Sequence, residues 1–311
     1  ISGSKMIFNS TIDNSDKTIG VVNNSLGDKF VAYIPLDDRP VNVDRVKYLA
    51  QSMGYTLKMP EADLYSTKLD GNGTNSNGTK YGDPAALSRW LYEMEKSGCD
   101  YYIISLDQLF SGGLVSSRYL TKKDEIFDMD YVKQIFENIV NNSSNKVYLF
   151  DSVMRLGSTL DFEGYTMDDH LELTNFASVK RKDLKNENLN IQNIVKDYKA
   201  DSNGNLIKVN IRSDKLERYL GARERKLKLV DYYFNMIADK SNISLFIGID
   251  DSSNNANIQT NEINYMKKKA DEKKLDVVIR DGIDELGMIS FSKLVYDFSK
   301  INVSEANIIT I

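Results

Sequence analysis

Short, continuous apolar runs recur along the chain, and segments with helical spacing separate them. Residues 29–34, 101–106 and 243–249 are examples of such runs. A continuous apolar run indicates a strand that is covered on both faces, whereas alternation of apolar and polar residues indicates a strand with one face in water. Covered strands that alternate with helices are typical of a parallel sheet in an α/β protein.

The sequence therefore predicts a single α/β domain with a mainly parallel sheet over residues 29–311. A (β/α)-barrel-like closure is the first choice, and an open, doubly wound, Rossmann-like sheet is the alternative. The barrel is favoured because acidic residues follow nearly every strand, and an open sheet would spread them far apart. Residues 1–28 are predicted to form a flexible tail. Residues 307–311 begin another apolar run, so we expect the domain to be truncated at its carboxyl end.

Helical spacing predicts helices between these strands, and Gly and Pro mark several of their ends. The segments are residues 43–53, 84–96, 129–141, 214–238, 259–272 and 286–299. Residues 157–205 are polar and are predicted to hold one or two helices. The arginine-rich segment 219–226 is predicted to present a solvated face, since it carries many charges.

The composition argues against several classes of protein. The net charge is −5 and no long basic run occurs, so we expect no nucleic-acid partner. No apolar run of 18 residues occurs, so no membrane span is predicted. Cys99 is the single cysteine and precedes an apolar strand, which predicts a buried thiol. An extracellular or cell-surface location is slightly favoured over a cytoplasmic one, and the oligomeric state stays open.

Carboxylates follow the apolar runs, and these acids are the main candidates for a functional site. They are Asp37, Asp38, Asp107, Asp151, Asp250, Asp251, Asp281, Asp284 and Glu285. Arginines accompany them at Arg39, Arg118, Arg155 and Arg280. Because the carboxyl ends of parallel strands lie at one edge of a sheet, these side chains are expected to converge there. Carboxylates that crowd together raise one another's pKa values, and the arginines would offset part of this effect.

Five ordered motifs resemble a known bacterial family. They are PLDDRPVN at 35–42, SLDQLFSGGLVSSR at 105–118, YLGARERK at 219–226, GIDDSSNNANIQTNE at 248–262 and DGIDELGM at 281–288. Together these motifs are similar to the family named only as domain of unknown function 4127, over roughly residues 29–300. The resemblance supplies no reaction, so the function has to be inferred from the residues of the site.

The first hypothesis is a carbohydrate-active hydrolase that resembles glycosidases, with N-acetylhexosamine-containing glycans among its substrates. Glycoside cleavage needs a protonated acid and a second carboxylate, and it needs no metal. Asp251 is predicted to be the acid, and Asp250 to orient or stabilise the substrate. The residues predicted to bind substrate are Asp37, Asp38, Arg39, Asp107, Arg118, Arg155, Asp281, Asp284 and Glu285. This hypothesis predicts a small-molecule or glycan substrate and no cofactor.

Two other functions and a structural explanation stay open. One alternative is a phosphoryl or ester hydrolase that uses Mg²⁺ or Mn²⁺, because these ions prefer oxygen ligands. The other is a protein that binds sugars without turnover. In the structural explanation, Asp37 and Asp38 cap the following helix, and Asp250 and Asp251 form a turn and a helix cap.

Overall fold

A computed structural model describes residues 30–121 and 129–305, with side chains described to residue 299. The predicted tail and the run at 307–311 lie outside the described residues. The strands are β1 Val31–Ile34, β2 Leu57–Lys58, β3 Tyr101–Ser105, β4 Lys146–Val153, β5 Ile243–Ile249 and β6 Val277–Asp281. The helices are α1 Asp44–Ser52, α2 Pro84–Lys96, α3 Leu106–Ser111, α4 Leu114–Ser117, α5 Met129–Asn141, α6 Met167–Ser178, α7 Ile191–Lys196, α8 Ser213–Ile237, α9 Gln259–Glu272 and α10 Leu286–Glu305.

All neighbouring strands pair in parallel, in the order β2-β1-β3-β4-β5-β6. The α/β class and the parallel sheet are therefore confirmed. Within the described residues β2 and β6 are the edges, so the sheet is open, as in the alternative arrangement, and is not closed into a ring. The chain moves from β1 to β2 on one side and then returns to β3 on the other side. This reversal makes the sheet doubly wound.

The strands are buried because helices cover both faces of the sheet. Successive residues of β1 belong to different cores: Ala32 packs with one side of the sheet and Tyr33 with the other. Helices α2, α3, α5, α8 and α9 contribute to the first core, and α1 and α10 contribute to the second. This two-sided cover explains why the strands are continuously apolar. Among the described helices, none combines the length and the apolar character needed to cross a bilayer.

The segment from Gly282 to Gly287 runs back across the sheet towards β1. A Cβ atom on Gly248 in β5 would collide with the carbonyl oxygen of Gly282. A Cβ atom on Gly287 would lie 2.6 Å from the Tyr33 hydroxyl of β1. Glycine at these positions therefore lets the segment cross β5 and lets α10 begin against β1. This path brings the loop after β6 to the loop after β1, although three strands separate β1 from β6 in the sheet.

Several predicted boundaries and environments change in the structure. Strand β4 extends to Val153, so Asp151 lies inside the strand and not in the loop after it. Asp281 is likewise the last residue of β6. Cys99 is buried, as predicted, and residues 157–205 hold the two helices α6 and α7. The predicted solvated face of the arginine-rich segment is wrong, because Arg223, Arg225 and Lys226 are buried there.

Candidate functional site

The first ion-pair group joins the loops after β1 and β6. Arg39 donates from Nε to both carboxylate oxygens of Asp37, at 3.1 and 3.0 Å, and Arg39 Nη2 lies 2.7 Å from Asp284 Oδ1. Asn42 donates to Asp37 Oδ1 at 2.6 Å. Burial opposes the charge of Arg39, but Asp37 and then Asp284 outweigh this effect and raise the pKa of the guanidinium. The acids of β1 and β6 thus meet in an open sheet, which the sequence argument for a barrel did not foresee.

The second group is buried between the sheet and helices α3 and α8. Lys226 of α8 donates to Asp107 of α3 and, at 2.7 Å, to Asp151 Oδ1 of β4. Ser152 Oγ donates to Asp107 Oδ2 at 2.7 Å, while Asp151 Oδ2 is buried without a hydrogen-bond partner. Burial raises the pKa of Asp151 to about 7; Lys226 opposes this rise and Asp107 adds to it. One lysine cannot neutralise two carboxylates, and burial therefore favours the protonated form of Asp151.

Asp107 was predicted to bind substrate, but only 1% of its surface is exposed. Asp151 is equally buried and is paired with the same lysine, Lys226. The cluster therefore lies beneath the edge of the sheet, where it fixes α3 and α8 to β4. It supports the edge, and its carboxylates are closed off from solvent.

The third group contains the two residues predicted to be catalytic. Asp250 forms a buried ion pair with Arg118, and Arg118 Nη1 also donates to Thr159 Oγ1 at 3.0 Å. The exposed Asp251 accepts from Arg155 Nε at 2.8 Å. Burial lowers the pKa of Arg118; Asp250 counteracts this, and the charge of Arg155 lowers it further. The two acid–arginine pairs are neighbours, because Asp250 and Asp251 are consecutive residues.

Backbone geometry at Asp251 explains how two consecutive acids reach this cluster. The residue has a φ of 52°, in the left-handed region that non-glycine residues rarely adopt. In a regular strand the side chains of consecutive residues point to opposite faces. The left-handed turn breaks that alternation directly after β5, so Asp250 and Asp251 engage neighbouring arginines.

Helix α8 holds the loop that carries Arg155. Tyr219 Oη donates to the Leu156 carbonyl at 2.6 Å, and Arg223 donates to the carbonyls of Met154 and Arg155. Arg223 also forms a buried ion pair with Glu262 of α9, at 2.9 Å. These bonds satisfy loop carbonyls that would otherwise be buried without a donor. The buried charges of α8 therefore fix the position of Arg155.

Gln259, the first residue of α9, connects the loops after β4 and β5. Its Nε2 donates to the Met154 carbonyl at 2.9 Å and to the Asp250 carbonyl at 2.8 Å. The side chain is buried, so without it the Asp250 carbonyl would lose this donor, while the Met154 carbonyl would keep only the longer bond from Arg223, at 3.3 Å. Gln259 therefore sets the distance between the loop of Arg155 and the acids Asp250 and Asp251.

We expect Gln259→Leu to reduce the free energy of unfolding by about 1–3 kcal/mol, because it leaves the Asp250 carbonyl without this donor and a buried acceptor left unpaired costs about that much. Urea unfolding of the variant and the wild-type protein measures the difference. Lys267→Ala, on the exposed side of the same helix, is the control and should change stability by less than about 0.5 kcal/mol. Equal stability of Gln259→Leu and the wild-type protein would show that the two hydrogen bonds do not hold the loops.

Other predicted site residues stand apart from these groups. Asp38, Asp281 and Glu285 are exposed and form no ion pair within the residues that the structure describes. Asp38 accepts only a long hydrogen bond, 3.4 Å, from the Thr67 amide. The structure brings together Asp37, Arg39 and Asp284 at one place and Arg118, Arg155, Asp250 and Asp251 at another.

The sequence analysis missed Lys226, Arg223 and Gln259. A signal for the first two was present, because Tyr219, Arg223 and Lys226 are spaced by four and three residues. This spacing places them on one face of a helix, together with the apolar residues Leu220 and Leu227. Gln259 carries no such signal, because its bonds are to carbonyls of two distant loops.

The described part of the chain contains no group of three or more His, Cys, Asp or Glu side chains arranged to hold a metal ion. The carboxylates of the three groups are instead matched by arginine or lysine. The carboxylates of these three groups therefore do not form a ready-made Mg²⁺ or Mn²⁺ site in the described part of the chain.

Comparison with known proteins adds a family but no reaction. Neither the curated proteins nor the solved structures contain a match to this chain. The model of the family described as "Protein of unknown function (DUF4127)" matches residues 31–306, in agreement with the resemblance of the five motifs. The chain therefore belongs to the DUF4127 family.

Proposed function

We propose that this protein is a carbohydrate-active hydrolase whose substrate binds over the Arg118–Asp250 and Arg155–Asp251 pairs. The turn at Asp251 supports the proposal most directly, since it lets two consecutive carboxylates serve one ligand. N-acetylhexosamine-containing glycans are the proposed substrate class. Adjacent acids suit them, because one acid can orient the acetamido group while the other protonates the leaving oxygen.

The two acids differ in environment, and we assign their roles accordingly. Asp250 is buried and fixed by Arg118, so it orients the acetamido group or stabilises positive charge on the sugar. The side chain of Asp251 is about half exposed, at 48%, and can reach a leaving oxygen. A carboxylate in an ion pair is a poor proton donor. The substrate therefore has to separate Arg155 from Asp251 before Asp251 can act as the acid.

We expect Asp251→Asn to keep the fold and to lower turnover of aryl glycosides by at least about 100-fold, because general acid catalysis contributes about 10²–10⁴-fold. A panel of aryl glycosides, including an N-acetylglucosaminide, measures the rates, and circular dichroism checks the fold. Asp214→Asn is the matched control, since Asp214 is also an exposed acid paired with an arginine, at 2.8 Å from Arg212. Unchanged turnover in Asp251→Asn would remove Asp251 from the mechanism.

The neighbouring guanidinium groups of Arg118 and Arg155 favour a second candidate, a hydrolase of phosphoryl or other anionic esters. The same panel, extended to aryl phosphates and repeated with EDTA, separates the candidates. EDTA-sensitive cleavage of phosphates would support a metal-dependent esterase. Sugar binding without turnover of any substrate would support a non-catalytic binding protein.

A further inference from the structure

A second cavity lies at the opposite, amino-terminal edge of the sheet. Its volume is about 320 Å³, which is within the range of small-molecule sites. The starts of β3, β4 and β5 form its floor, and the second half of α10 forms its wall. The residues that line the cavity include Tyr101, Lys146, Asn242, Asp276, Lys293 and Asp297, of which Asn242 and Asp276 lie just before β5 and β6. The cavity shares no residue with the three ion-pair groups at the carboxyl edge.

Hydrogen bonds between the helix and the sheet fix the wall of this cavity. Asp297 of α10 accepts from the Tyr148 hydroxyl of β4 at 3.0 Å and from Lys293 Nζ at 2.6 Å. Burial and the adjacent Asp297 raise the pKa of Tyr148, so its hydroxyl stays protonated and keeps donating. The hydrogen bond from Tyr148 therefore fixes α10 against β4 beside the cavity. Asp297 is already paired with Lys293.

The charges that face the cavity balance one another. Lys146 and Lys293 are opposed by Asp276 and Asp297. Lys146 and Asp276 form no ion pair in the described part of the chain, so they offer a donor and an acceptor to a ligand. The two aspartates would repel an anion, and the two lysines would repel a cation. Balanced charge therefore favours a neutral ligand with several hydrogen-bonding groups.

Three aromatic side chains also line the cavity. Tyr101 and Phe298 are partly exposed, and Tyr148 lies deeper. Aromatic rings pack against apolar surfaces, such as the C–H face of a sugar ring, while nearby polar groups bind hydroxyls. Asn242, Ser241 and Ser244 provide such polar groups beside Lys146 and Asp276.

We propose that the amino-edge cavity is a second binding site for a neutral sugar. The proposal does not depend on hydrolysis at the carboxyl edge, because the two sites have no residue in common. If both proposals hold, the protein binds the same class of ligand at both ends of its sheet.

A titration followed by amide chemical shifts in NMR tests this proposal. The probes are N-acetylglucosamine and methyl glucoside, with the anions acetate and inorganic phosphate and the zwitterion glycine as comparisons that carry charged groups. We expect both sugars to shift the signals of Tyr101, Asn242 and Asp276 with dissociation constants of about 1–10 mM, and the charged probes to leave these signals unchanged. Asp276→Ala and Lys146→Ala should each weaken sugar binding at least about fivefold, since each removes one hydrogen-bonding group.

Two controls make the outcome decisive. Asp201→Ala removes a partly exposed acid that does not line this cavity, and Asp251→Asn changes only the carboxyl edge; both should leave binding at the amino edge unchanged. The absence of amino-edge shifts, or shifts caused by acetate, phosphate or glycine in place of sugars, would overturn the proposal. If no assay detects glycosidase activity but the sugars still shift the amino-edge signals, only the proposed hydrolase is refuted.

Discussion

Lys226→Met is expected to destabilise the protein by about 3–5 kcal/mol, because it removes one partner of a buried ion cluster. The side chain of Lys226 is 7% exposed and bridges Asp107 and Asp151. Methionine keeps the length and the apolar stem, but it leaves two buried carboxylates without a cation. Denaturant unfolding at neutral pH measures the loss.

The same helix provides the control for this experiment. Lys228 forms an exposed ion pair with Glu224, and Lys228→Met should cost no more than about 0.5 kcal/mol. The loss in Lys226→Met should shrink at about pH 4.5, where the carboxyl groups can take up protons and no longer need the lysine. A loss of less than about 1 kcal/mol at neutral pH would mean that water, and not Lys226, stabilises these carboxylates.

The contribution of Asp151 to stability is expected to fall as the pH rises from about 4 to about 7. The pKa of Asp151 is about 7 in the folded protein against an ordinary value of 3.8, because burial outweighs the attraction of Lys226. A raised pKa means that the folded state binds a proton that the unfolded state has released. This contribution is complete below about pH 4 and is lost as the pH passes through about 7. The difference between these values corresponds to about 4 kcal/mol.

Asp151→Asn tests this expectation, because the amide resembles the protonated carboxyl group and cannot titrate. Unfolding of both proteins at several pH values isolates the contribution of Asp151 from that of all other groups. Relative to the wild-type protein, the variant should gain stability steadily between about pH 4 and pH 8. Lys226 pairs with Asp107 in the wild-type protein and can keep this pair in the variant. A constant difference across this range would contradict a proton on Asp151.

The order of strands and helices could be predicted because it depends on local patterns. The apolar runs identified the strands, and Pro84 and the helical spacing after it placed α2 within its observed bounds. The convergence of acids at one edge followed from parallel pairing alone. These features need no knowledge of how distant segments pack.

Other features could not be read from the sequence, since they depend on contacts between distant residues. The charges of α8 are buried because Glu262, Asp107 and Asp151 meet them from other elements. The approach of Asp284 to Arg39 results from the path of the segment that contains Gly282 and Gly287. Neither the partners of α8 nor this path leaves a periodic signal in the sequence. The many charges of α8 therefore predicted an exposed helix face, and an open sheet was expected to keep the acids after its strands apart.

The return of the chain across the sheet after β6 also has a consequence for folding during synthesis. One face of the first strands carries Val31, Tyr33 and Phe150, and part of its cover comes from Leu286 and Phe291 of α10. A growing chain therefore keeps this surface incompletely covered until Phe291 has left the ribosome, long after β1 and β4. Nascent chains that expose apolar strands for so long are vulnerable to aggregation, and chaperones commonly protect them.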